Sequence, residues 1–128
     1  MPIELKLLVL SALLALVQMI VAAAGAQSQV GINVLAGNRE RMPPLTGWPL
    51  RAQRAHLNLL ENLVVFAIFV LVANATGRLN ETTALGANLF FWGRVAYALV
   101  YVLGVPWIRT LIWGVSVAGL LVILSQLL

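Results

Sequence analysis

The chain has 128 residues, of which 62% are hydrophobic and 9% charged, with no cysteine and a formal net charge of +4 at pH 7. A typical globular chain is about 25% charged, and one this short has too little interior to hide so much apolar surface from water. A soluble domain, a polar disordered chain, a collagen-like repeat and a disulfide framework are therefore excluded, and nucleic acid is not an expected partner of an excess charge that speaks first to membrane orientation.

A membrane-spanning helix needs about 20 mostly apolar residues. The first such run covers residues 5–26 and carries no charge between Leu7 and Ala24. Lys6 before an apolar run also suits a signal peptide, but the run is longer than a signal core and Glu4 opposes a basic start. Residues Gln27 to Gly47 hold Asn33, Asn38, Arg39, Glu40, Arg41 and the Pro43-Pro44 pair, and read as a loop. A second span covers 49–76, with Pro49 in its first turn, where the missing N–H costs nothing. Gly77 suits its stop, and Thr82 or Thr83 the cap of the next helix. The third span covers 84–103 and breaks at Gly104-Val105-Pro106, because proline disfavours helical geometry before it. The fourth covers 107–127.

The fold class is all-α: a single domain over 1–128, an integral membrane four-helix bundle with antiparallel neighbours. Gly114, Ala118 and Gly119 would permit close helix approach, and Trp48, Trp107 and Tyr101 lie where an interfacial aromatic belt would. Arg39, Arg41, Arg51, Arg54 and Arg109 cluster at one end of the spans, against Lys6 and Arg78 at the other. The positive-inside rule then puts the first and third loops in the cytoplasm and both termini outside it. A bacterial inner membrane is the expected host.

Two spans carry polar stripes that lipid would penalise. Arg51, Arg54, Asn58 and Glu61 share one face of the second span, and Arg94, Tyr97 and Tyr101 one face of the third. Guanidinium forks suit carboxylates and a carboxylate suits an ammonium, so together the stripes suit a small zwitterion. Structural readings stand beside this one. Glu61 and Arg94 can neutralise each other as an interhelical ion pair, Arg51 and Arg54 can anchor at headgroups, and Tyr97 and Tyr101 can be packing residues. Asn62 and Asn88 are expected to bond between helices. A metal site is not expected, because His56 is the lone histidine and zinc needs three or four ligands. There is no phosphate loop, dinucleotide glycine motif or nucleophile elbow.

The stretch Arg51-Ala-Gln-Arg54-Ala-His56-Leu-Asn58-Leu-Leu-Glu61-Asn62 resembles the signature of the MAPEG family, the membrane-associated proteins of eicosanoid and glutathione metabolism. Its core is Arg-Ala-x-x-Asn-x-x-Glu, Arg54 to Glu61, in wording most similar to microsomal glutathione transferases. Arg94-x-x-Tyr97-x-x-x-Tyr101 is the second match, and the four-span plan with a Pro-Pro loop extends the likeness over nearly the whole chain. The resemblance implies a homotrimer with glutathione between subunits near the cytoplasmic face. It implies that Arg54, Asn58 and Glu61 hold glutathione from one subunit and Arg94, Tyr97 and Tyr101 from the next. It also gives His56 a contact and Arg51 a possible place.

Two departures bear on chemistry. Leukotriene-synthase-like members carry an activating arginine seven residues after the second tyrosine; here Ile108 stands there and Arg109 follows it. They also carry an arginine pair before the Pro-Pro loop, where this chain has Ala36 and Gly37, with Arg39 and Arg41 displaced. These argue against leukotriene chemistry and leave general transferase or peroxidase activity open. The expected function is addition of the glutathione thiolate, with glutathione as co-substrate, to a hydrophobic electrophile from the bilayer. Arg109 is the expected activator of the thiol and Tyr101 the alternative. A non-catalytic lipid-binding or scaffold member and a small transporter subunit are the rival readings.

Overall fold

The computed structural model describes residues 1–40 and 42–128. Arg41, one of the residues used above for orientation, lies outside them. Five helices follow in chain order: α1 (Ile3–Val30), α2 (Ile32–Ala36), α3 (Gly47–Ala75), α4 (Glu81–Leu103) and α5 (Pro106–Leu127). Of these, α1, α3, α4 and α5 are long and apolar enough to cross a membrane.

The spans lie where hydropathy put them, with the first and third each starting earlier and the first also running further. The helix α1 passes residue 26 because nothing breaks it before Gly31, whose φ of 84° ends it while its N–H bonds Gln27. The region read as a loop contains the five-residue α2, too short to show a period. Its far end is tied down by Gln29, whose side chain donates to the Thr46 carbonyl at 2.7 Å and accepts from the Thr46 N–H at 3.0 Å. Thr46 is the N-cap of α3, and Pro49 falls in the first turn. Gly77 takes φ 68° just past α3, the left-handed conformation glycine tolerates. The cap of α4 is Asn80 rather than Thr82 or Thr83. Asn80 Oδ1 accepts from the Thr83 N–H at 2.9 Å and Thr83 Oγ1 accepts from the Asn80 N–H at 2.8 Å, a reciprocal capping box. Gly104 closes α4 at φ 82° and Pro106 opens α5.

The closest packing is between α4 and α5, which are joined by a two-residue turn. A Cβ on Gly86 would lie 2.6 Å from the Gly119 carbonyl, and one on Gly119 2.5 Å from the Gly86 carbonyl. Gly93 rests on Ser116. Of the small residues singled out above, only Gly119 makes this approach. Gly114 has open space beside it and Ala118 is exposed, because both turn away from α4. Phe66 of α3 stacks on Phe90 of α4 at 4.2 Å between ring centres, and both are fully buried. Glu4, 4% exposed, accepts from Thr83 Oγ1 at 2.6 Å and fastens the start of α1 to the start of α4. Outward faces carry Val9, Leu13, Val64, Ile68, Trp92, Leu99 and Leu111, a surface suited to lipid tails.

Candidate functional site

The stripe on α3 splits in two. At 100° per residue, Arg51 and Asn58 point within about 20° of each other, as do Arg54 and Glu61, and the pairs diverge by about 60°. The first pair meets α4. Arg51 Nε donates to the Val102 carbonyl at 2.9 Å and its guanidinium lies over Gly104, so this arginine ties α3 to the end of α4. The second pair is exposed on the outer face of α3.

Asn58 meets Arg94, the largest fully buried side chain, at 1% exposure. Arg94 Nη2 donates to Asn58 Oδ1 at 2.8 Å, and the guanidinium stacks over the Tyr97 ring at 4.2 Å. Arg94 Nε and Nη1 are buried with no partner among the described residues. The Glu61–Arg94 ion pair is not formed, because Glu61 faces outward while Arg94 faces into the bundle. Asn62 and Asn88 do not bridge helices within the chain either. Asn62 Nδ2 donates to the Asn58 carbonyl at 2.8 Å and Asn88 Nδ2 to the Ala84 carbonyl at 2.9 Å, each one turn back on its own helix.

The aromatic ladder continues to α5. Tyr97 and Tyr101 lie 5.5 Å apart, and the Arg109 guanidinium sits 4.5 Å over the Tyr101 ring. Tyr101 therefore belongs to this cluster; Trp48 and Trp107 are exposed at the starts of α3 and α5. A cavity of about 260 Å³ opens beside the ladder, lined by Asn58, Tyr97, Arg109, Thr110 and Trp113. Thr110 and Trp113 escaped the sequence reading, although they stand one and four residues after Arg109 on the same helix.

The cavity offers hydrogen-bond donors. Asn58 Oδ1 already accepts from Arg94 and from Asn62 Nδ2 at 3.3 Å, which turns the Asn58 amide N–H₂ outward. With the Arg109 guanidinium and the Tyr97 and Thr110 hydroxyls, the wall presents donors and a cation and no carboxylate. That chemistry suits an acceptor-rich or anionic ligand.

His56 looks elsewhere. It lines a second cavity of about 220 Å³ with Gln53, Leu57 and Met19, and with Arg39 and Met42 from the first loop. His56 Nδ1 is buried there with no partner among the described residues. Arg39 takes φ 63°, unusual for a side chain larger than glycine, and its Nε caps α2 through the Leu35 carbonyl at 2.8 Å. Exposed Arg54 and Glu61 form the ridge of α3 between the two cavities.

The four apolar spans, the α3 signature and the α4 ladder point to one family, and comparison with family profiles agrees: the MAPEG family matches residues 5–128. The chain belongs to the MAPEG family. It is thus a multi-pass integral membrane protein of a family tied to eicosanoid and glutathione metabolism. No curated protein and no solved structure matches. Relative to what the resemblance implied for this MAPEG chain, the finding of note is that Asn58 and Arg94 pair within one subunit.

Proposed function

We propose that this MAPEG protein is a membrane glutathione transferase or peroxidase-type enzyme. The observation that carries the reading is the donor-lined cavity of Asn58, Tyr97, Arg109 and Thr110 at the edge of the bundle. Glutathione has two carboxylates, an ammonium and a thiol. The cavity suits a carboxylate or thiolate, and Glu61 on the neighbouring ridge suits the ammonium. Arg54 and Glu61 face outward from a helix that also exposes the apolar Leu57, Val64 and Ile68. Charges there are costly against lipid. A second and third copy packed on this face would cover them and join the His56 cavity of one subunit to the Tyr97 cavity of the next. A homotrimer with glutathione at each junction follows from that reading, with the arginine-rich end in the cytoplasm.

The chemistry needs a thiolate. A thiol with pKa near ~8.5 is only a few per cent ionised at neutral pH, and a cation at the sulfur raises that fraction. The proton goes to solvent, sulfur attacks an electrophilic carbon arriving from the bilayer, and an S–C bond forms. In substitution the leaving group departs with its electron pair. Calorimetric titration of the detergent-purified protein with glutathione tests the reading, together with the ultraviolet band of bound thiolate. Saturable binding with a band at neutral pH and turnover of a generic electrophile is the expected result. Saturable binding with no band supports a non-catalytic lipid-binding member, and no binding overturns the proposal.

A further inference from the structure

An apolar cavity opens between α1 and α4, with Ala52 of α3 on its wall, away from the Tyr97–Arg109 ladder. It is a cavity of about 340 Å³ with walls that include Val17 and Val21 of α1 and Ala98, Leu99 and Val102 of α4. Its size falls within the roughly 300–1,000 Å³ of small-molecule sites. Every wall residue but one is aliphatic: no ring and no charge is present. The exception is Gln18.

Gln18 is 9% exposed, and its Oε1 is buried with no partner among the described residues. It sits near the middle of the uncharged run Leu7–Ala26, hence near the bilayer centre. A polar group left unpaired there costs free energy that water cannot relieve. The cavity runs from Val95 to Leu103 along α4, about 12 Å at 1.5 Å per residue, and from Leu14 to Val21 along α1, with Gln18 midway. An ordinary phospholipid keeps its polar ester groups at the interface and offers Gln18 only methylenes.

We infer that this cavity binds an aliphatic chain carrying a hydroxyl within it, the hydroxyl donating to Gln18 Oε1 while the chain lies on the valines and leucines. Aliphatic walls select a flexible chain over a fused aromatic ring, and the single amide selects the oxygenated chain over its hydrocarbon parent. The inference does not use the thiol chemistry and stands or falls apart from it.

The test reconstitutes the full chain in phosphatidylcholine nanodiscs. Radiolabelled 12-hydroxystearate and stearate are the probes, and bound label is counted at equal lipid mole fraction. The expected result is a preference of about 3- to 20-fold for the hydroxylated chain, the worth of one hydrogen bond between polar groups in lipid. Gln18→Leu should abolish the preference while leaving stearate binding in place. Ala98→Phe should block both probes by filling the cavity. Equal binding of the two probes by the unmodified protein overturns the inference. So does a preference that survives Gln18→Leu. Loss of the native oligomer in Gln18→Leu, with the Ala98→Phe variant still binding both probes, assigns Gln18 to contact between copies and overturns it as well.

Discussion

Arg94 of α4 donates to the side-chain oxygen of Asn58 on α3 at 2.8 Å, and its Nε and Nη1 have no acceptor among the described residues. A buried guanidinium held by one amide is a strained arrangement. Removing that acceptor leaves a charge with no hydrogen bond in a span, whereas removing both groups leaves only a packing change. Asn58→Leu should therefore destabilise the protein by about 1–3 kcal/mol, and the double variant Asn58→Leu/Arg94→Met by less than Asn58→Leu alone. Thermal unfolding of the detergent-purified variants completes the cycle. Additive losses would show that the two side chains are not coupled.

The crossing of α4 on α5 makes a second prediction. Gly86→Ala and Gly119→Ala each put a methyl against a carbonyl of the other helix, at 2.6 and 2.5 Å. The backbones must move apart, at a cost of about 1–3 kcal/mol each. The double variant should lose less than the sum, because the first methyl already opens the crossing. Gly114→Ala should melt with the unmodified protein, since nothing lies within 4 Å of its added Cβ.

Much of this was legible in the residues, and the reasons differ by feature. Apolar runs longer than a bilayer, Pro49, Gly77 and the Gly104–Pro106 break announce spans and stops through local chemistry alone. The cap of α4 was expected at Thr82 or Thr83 because either hydroxyl can accept an N–H; Asn80 can too, and the reciprocal Asn80–Thr83 pair puts the cap there. The face of α3 was harder. Arg51, Arg54, Asn58 and Glu61 fit one helical stripe, but that stripe straddles the boundary between buried and exposed, and no single-helix pattern tells which edge turns inward. The Glu61–Arg94 pair, the structural alternative to a ligand site, fails for that reason. Glu4 was read as a mark against a signal peptide, and its partner Thr83 lies 79 positions away, beyond any local pattern.

The exposed edge of α3 carries a third prediction. On the proposed function, Arg54→Ala and Glu61→Gln should each weaken glutathione binding by about 5- to 150-fold while the proposed trimer persists, as loss of a charged hydrogen-bond partner does. Calorimetry reads the affinity and analytical ultracentrifugation the assembly. Loss of the trimer, with normal binding by whatever protein still assembles, would make the two residues assembly contacts and not ligands.

Orientation gives a fourth. Arg51, Arg54 and Arg109 lie at one end of the spans, and Lys6 and Arg78 at the other. In a bacterial host, alkaline phosphatase fused after Leu128 should be active and a fluorescent protein fused there dark. The opposite pattern would turn the molecule over and move the Arg109 cavity to the other leaflet.

The last prediction concerns thiol activation. Arg109 stands in the first turn of α5, lines the cavity and stacks 4.5 Å over Tyr101. A cation there, reinforced by the positive end of the helix, favours a thiolate in the cavity. The protein has no cysteine to share the task, and its one lysine, Lys6, lies near the start of α1. Bound glutathione should accordingly show a thiolate ultraviolet band at neutral pH. Arg109→Ala should abolish the band and leave glutathione affinity within a few-fold, because Asn58, Tyr97 and Glu61 remain. Tyr101→Phe keeps the ring beneath the guanidinium and loses only the hydroxyl, so the band should survive it. The reverse result, a band lost in Tyr101→Phe and kept in Arg109→Ala, would move activation to the phenol. Arg109→Lys separates charge from shape. A lysine restores the cation without the flat fork that stacks on Tyr101, so a partial band is expected, and its absence would mean that the placement set by stacking matters as much as the charge.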